Sequence, residues 1–206
     1  MRHLTILVLL LLIVQKSFAS YNRTTLPELI IDSELILQGK IIHQDSTTFT
    51  LLVSDPIKGN YQKKSIRIQK FEDWECANRL SKYKVGQEEI VFLRWYSETK
   101  KWYIKGAGDE GELFIKNDSI IYPSACYAPD SGCVEINYFE YKTRGRIYSL
   151  QNFKKAINFY INQFPLLLKG FKANYSDSIP NRLQDNKAYT RIIKESLLVL
   201  MHHSYK

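Results

Sequence analysis

Between Glu34 and Tyr141 the chain is cut into short segments in which apolar and polar residues alternate, and turn-forming residues separate them. A period of two places successive side chains on opposite faces of a strand, so this stretch can only fold as a set of short β-strands. Glu34–His43 carries Leu35, Leu37 and Ile41, with Gly39 in the middle where a bulge or sharp bend is expected. Thr47–Asp55 places Phe49, Leu51 and Val53 on one face, and residues 56–60 (PIKGN) read as a turn. Lys64–Phe71 alternates Ile66 and Ile68 with basic residues. Glu88–Tyr96 is nearly continuously apolar, which predicts a strand covered on both faces. Lys101–Lys105 reads as its hairpin partner and brings Trp95-Tyr96 opposite Trp102-Tyr103. After the glycine-rich loop of residues 106–111, Glu112–Tyr122 predicts two strands around an Asn117-Asp118 turn, and Cys133–Tyr141 predicts one more.

At Ser149 the period changes. Leu150, Phe153, Ile157, Tyr160 and Phe164 fall on one helical face, with Ser149 as N-cap and Pro165 as the expected stop. Ala188, Ile192, Leu197 and Leu200 suggest a second helix. The reading is therefore mainly β with α: a β domain over residues 30–145, then a helical tail over 149–203. The apolar face of that tail must be buried, and Phe153, Ile157, Tyr160 and Phe164 are expected to pack on the β domain.

Residues 1–19 read as a secretory signal peptide: Arg2, an apolar run from Leu4 to Val14, and small residues Ser17 and Ala19 before the expected cut. The run is about half the length a membrane-spanning helix needs, so no span is expected. The implied location is secreted or periplasmic. Removing these residues takes Arg2 and Lys16 and no acid, leaving 27 cations against 21 acids, a net charge of +6. The cations are scattered singly and in pairs, without the basic run of a nucleic-acid arm. Nucleic acid is not an expected partner, whereas an anionic surface polysaccharide fits a mildly basic exported chain.

Cys76, Cys126 and Cys133 all lie in the exported part, and an oxidising compartment favours one disulfide with one thiol left over. A Cys126–Cys133 bridge would close the base of a turn-rich loop, and Cys76–Cys126 is the alternative. No CxxC or cysteine–histidine spacing for zinc occurs. Asp109, Glu110 and Glu112 cluster in the glycine-rich loop, where a solvated hairpin tip is the expected setting. His43, His202 and His203 show no partner arrangement for nucleophilic catalysis. No catalytic residue, metal ligand or cofactor is expected. Trp95 and Trp102 are the candidate binding aromatics, and the competing expectation is that the helical tail covers them.

Residues 33–42 (SELILQGKII), 49–53 (FTLLV) with 56–59 (PIKG), 66–68 (IRI), Cys76, and 83–93 (YKVGQEEIVFL) carry a resemblance to a known class. The chain resembles the secreted OB-fold proteins of netrin-like and tissue-inhibitor-of-metalloproteinases-like type, bacterial members included. The resemblance implies a five-stranded OB-like barrel with a bend glycine in the first strand, and a binding role. Inhibitors of that class chelate zinc through a cysteine at the mature N-terminus. Here Ser20-Tyr21-Asn22 stands at that place and no cysteine precedes Cys76, so that mechanism is not implied. The functional expectation is a secreted, non-enzymatic binding module with a protein partner. The alternative is a carbohydrate- or polyanion-binding protein using the aromatic hairpin, and a further alternative is a carboxylate-based hydrolase.

Overall fold

The computed structural model describes residues 24, 26–74, 77–79, 81–108, 110–122, 134–138 and 141–173. Helix α1 (Leu26–Asp32) precedes β1 (Leu35–Gln44), β2 (Thr48–Lys58), β3 (Ser65–Gln69), β4 (Glu88–Tyr96) and β5 (Lys101–Ile104). Then come β6 (Glu112–Lys116), β7 (Ser119–Tyr122), β8 (Val134–Tyr138), β9 (Tyr141–Ser149) and helix α2 (Leu150–Ala173). The sheet order begins β1-β2-β3-β5-β4, and β4 pairs back onto β1 to close a five-stranded OB-like barrel. Strands β3 and β5 run parallel, and the other barrel pairings are antiparallel. Beyond the barrel the same sheet continues through β6, β7, β9 and β8. Among the described residues, no helix is long and apolar enough to cross a membrane.

Strand β4 explains its own apolar run. Val91 and Leu93 point into the barrel with Leu37, Ile41, Phe49 and Ile68, while Ile90 and Phe92 join the core under the helices. One edge of β4 is paired with β1. Along its other edge β5 and β6 lie end to end, and Phe92 bridges both: its carbonyl accepts from Lys105 N–H and its N–H donates to Gly111 O. At Gly111 a Cβ would collide with the Lys105 carbonyl oxygen, so only glycine lets the chain rejoin β4 there. Gly39 marks a register shift in β1, as expected, and a Cβ there would collide with the Leu52 carbonyl oxygen.

Helix α1 ends on a side chain. Lys58 Nζ donates to the carbonyls of Ile30, Ile31 and Ser33, at 2.5, 3.0 and 2.6 Å, in place of a further helical turn. Burial pushes the pKa of Lys58 down, against the attraction of Asp32. Helix α2 begins as expected, with Asn152 N–H donating to Ser149 Oγ at 3.2 Å. Phe153, Ile157 and Tyr160 enter one core with Leu29, Ile36 and Phe92. Lys154 ties this helix to the barrel through Asp55 and through Gln38 Oε1, the latter at 3.1 Å.

Several sequence expectations change. Pro165 does not stop α2, which runs to Ala173. The proline removes one helical hydrogen bond, and the Leu166-Leu167-Leu168-Lys169 that follows has high helix propensity. Strand β2 continues through Pro56 to Lys58, with Pro56 at a register shift beside Leu37 that spares the missing N–H. The turn begins at Gly59 instead, with φ 85°. Helix α1 and strand β9 are additions to the expected elements; α1 places Leu26, Leu29 and Ile30 at helical spacing, all three buried. Tyr141–Ser149 (YKTRGRIYS) has no apolar alternation, yet β9 is paired on both edges by β7 and β8. The signal segment 1–19, the three cysteines, the side chain of Phe164 and the expected second helix lie outside the described residues.

Candidate functional site

The β1–β2 turn, the exit of β3 and the β4–β5 turn meet at one end of the barrel and enclose a cleft of about 280 Å³. Asp45 builds one wall. Its carboxylate accepts from Thr47 N–H at 2.9 Å, Thr48 N–H at 2.7 Å, Thr48 Oγ1 at 2.8 Å and Arg67 Nη2 at 2.8 Å. This is an Asx-type turn, and the Thr48 hydroxyl, with the Thr48 and Thr47 N–H groups, holds the Asp45 pKa well below the usual carboxylate range. Arg67 also donates from Nε to Thr48 Oγ1 at 2.8 Å, which sets its guanidinium along the cleft. The exposed Arg67–Asp45 pair positions the arginine more than it stabilises the fold.

The other wall is aromatic. Trp95 and Trp102 are direct cross-strand partners, with ring centroids 5.3 Å apart and planes at 58°. Trp102 is half-buried against the barrel core, while Trp95 is 39% exposed. Lys100, at φ 52° in the β4–β5 turn, and Lys101 add cations to the rim. Lys101 Nζ donates to Gln69 Oε1 at 3.0 Å, and Gln69 Nε2 donates to Thr47 O at 2.9 Å. Over residues 150–161, helix α2 does not cover these tryptophans: its buried residues face the other core, formed with α1 and the outer face of β4. The expectation of a covered hairpin is corrected for this part of the tail, because Phe153, Ile157 and Tyr160 pack in that other core; the rest of the tail's apolar face lies outside the described residues.

A second polar assembly lies at the end of β4 opposite Trp95. Arg79 is buried and donates from Nε to Glu112 Oε2 at 2.9 Å and from Nη2 to Glu89 Oε2 at 3.0 Å. Its guanidinium stacks 3.6 Å from the Tyr83 ring centroid and 4.8 Å from that of Phe114. Tyr83 OH donates to Glu112 Oε2 at 3.0 Å and accepts from Phe71 N–H at 2.9 Å. Through Arg79 and Tyr83, the segment between β3 and β4 thereby plugs this end of the barrel with charge.

Two carboxylates share one guanidinium, a surplus of one negative charge away from water. Burial raises the pKa of both Glu89, to about 8, and Glu112, against the pull of Arg79. Glu89 Oε1 and Glu112 Oε1 have no hydrogen-bond partner among the described residues. The pair therefore retains one proton near neutral pH. Arg79 is raised in turn: burial opposes its charge, but Glu112 and Glu89 outweigh that.

The sequence expectation of a solvated tip for Glu110 and Glu112 is overturned. Both are buried, Glu110 Oε2 accepting from Ala107 N–H at 3.1 Å and Glu112 serving Arg79. Asp109 lies outside the described residues. The reason is the interruption between β5 and β6, which folds the loop back over the barrel end. Sequence reading also missed Arg79 and Glu89. The available signal was Glu89 itself, an acid in register with inward-facing Val91 and Leu93. His43 is exposed on β1, and no group of three acidic, cysteine or histidine residues that could hold a metal occurs among the described residues.

No family model, no curated protein sequence and no solved structure matches this chain.

Proposed function

We propose that this protein is a secreted, non-enzymatic binding module of OB-like type whose ligand, an acidic carbohydrate, lies in the Trp95–Trp102 groove. The observation that carries the reading is the groove's composition: an exposed tryptophan edge lines one cleft together with Arg67, Lys100, Lys101, Thr47 and Gln69. Aromatic faces suit sugar rings, cations suit carboxylate or sulfate groups, and short polar side chains suit hydroxyls. The groove also occupies the strand 2–3 face and the two turns where OB folds commonly bind oligosaccharides and oligonucleotides. The hydrolase alternative finds less support, since Glu89 and Glu112 are sealed from solvent. The netrin-like and inhibitor-like resemblance contributes only fold and a general binding role, because no cysteine precedes Cys76.

Titration calorimetry of the exported protein with heparin or polygalacturonate tests this. Binding weakened about tenfold by Trp95→Ala, with the melting temperature unchanged, supports it. Equal affinity in Trp95→Ala places the ligand elsewhere and refutes it.

A further inference from the structure

A second cleft, of about 390 Å³, opens beside the plug, and it shares Thr47 with the tryptophan groove. The two depressions flank one turn, Asp45–Thr47, and together run around the end of the barrel. We propose that the ligand is a linear acidic polysaccharide that runs from the tryptophan groove past Thr47 into the cleft beside Ser81 and Lys82. This rests on the groove reading above and extends it.

The second cleft has the character of a hydroxyl-reading site. Ser81 is 3% exposed, lines the cleft, and its Oγ has no hydrogen-bond partner among the described residues. A buried hydroxyl left unpaired costs free energy that a ligand oxygen would recover. Lys70 is fixed at the junction, its Nζ donating to Gln44 Oε1 at 2.8 Å and to Asp45 O at 2.5 Å. Lys82 is exposed on the rim. Glu72 and Asp73 line the same cleft, so donors, acceptors and both signs of charge occur together.

That mixture discriminates between ligand classes. A nucleic acid carries a phosphate at every residue and would set some of them against Glu72 and Asp73. A glycan bears its acidic groups more sparsely, between hydroxyl-rich stretches. Its charged residues can sit by Arg67, Lys100 and Lys101, and its neutral ones by Ser81, Glu72 and Lys82. The tryptophan groove alone would hold a short fragment. The continuous track demands a longer one.

Calorimetry with a tetrasaccharide and a decasaccharide of one acidic polymer, and an oligothymidylate of matched charge, decides the matter. The decasaccharide is expected to bind about tenfold tighter than the tetrasaccharide. Lys82→Ala and Ser81→Ala should erase that gap without weakening the tetrasaccharide, and Trp95→Ala should weaken both. Melting curves of each variant confirm that it is folded. Equal affinities for the two lengths, both lost in Trp95→Ala, would overturn the track and leave the groove reading standing. Oligothymidylate binding as tightly as the decasaccharide would overturn the glycan assignment. No binding of either saccharide would overturn the groove reading itself.

Discussion

Raising the pH from 5 to 8 should weaken the folded protein by several kcal/mol, and the buried Glu89–Glu112 pair should account for most of it. Burial pushes Glu89 up from 4.5 to about 8 and raises its partner Glu112 as well, so the two together hold one proton that both have lost when unfolded. Between those values the native state holds a proton that the unfolded state has released. Stability is therefore complete below pH 4.5 and is lost as pH rises through 8. The slope is about −1.4 kcal/mol per pH unit, so the loss from pH 5 to pH 8 is on the order of 4 kcal/mol. That is a large part of the 5–15 kcal/mol typical of a domain. Arg79 and Tyr83 both have raised pKa values and keep their protons over this range, so neither offsets the loss. Urea unfolding at pH 5, 6.5, 8 and 9 measures it. Glu89→Gln keeps the shape and an oxygen for Arg79 but removes the titration. The variant should show a nearly flat profile and exceed the wild type at pH 9. A wild-type profile that is flat or rising from pH 5 to 8, or a Glu89→Gln profile with the wild-type slope, would refute the reasoning.

Three further outcomes follow from packing and chemistry. Phe153→Ala empties a fully buried site where α2 meets Tyr122 and Tyr148, and should cost about 3–5 kcal/mol by urea unfolding. Lys58→Met keeps the length of the stem but leaves three carbonyls at the end of α1 without their shared donor; a loss of about 1–3 kcal/mol and faster amide exchange in α1 are expected. If the chain is exported as proposed, thiol titration of protein purified without reductant should find one free thiol and one disulfide, with Cys126 in the bridge; three reactive thiols would contradict this.

The parts of the fold legible in the sequence are those where one residue's environment repeats along the chain. Phe49, Leu51, Ile66 and Ile68 all face the barrel interior, so a period of two survives and each strand is visible. Phe153, Ile157 and Tyr160 all face one core, so the helical period survives too. Strand β9 is held by backbone pairing on both edges, which needs no apolar pattern, and it was invisible for that reason. In the candidate site, Trp95 and Trp102 were legible as hairpin partners, because pairing across a short turn is local. Their exposure was not, since it depends on where a helix some fifty residues later finds its apolar partners. Arg79, Glu89 and Glu112 were still less legible. They meet only because β4 is paired along one edge by an interrupted strand, and the interruption turns on Gly111.

The plug and the track are coupled through shared residues. Arg79, Ser81 and Tyr83 wall the second cleft, and Arg79 and Tyr83 are held by the Glu89–Glu112 pair. Once both acids are ionised, one guanidinium faces two buried carboxylates, and the segment carrying Asp73, Arg79 and Ser81 loses part of its anchorage. The tryptophan groove rests on different chemistry: the Asp45 carboxylate has its pKa pushed well below the usual range and stays ionised throughout. Raising the pH from 6 to 9 should therefore act on the second cleft alone. The tetrasaccharide should bind equally at both values, while the about tenfold advantage of the decasaccharide should shrink toward unity at pH 9. In Glu89→Gln the advantage should persist at pH 9, because no second buried charge forms. A length advantage that is the same at pH 6 and pH 9 in the wild type would show that the plug does not govern the second cleft.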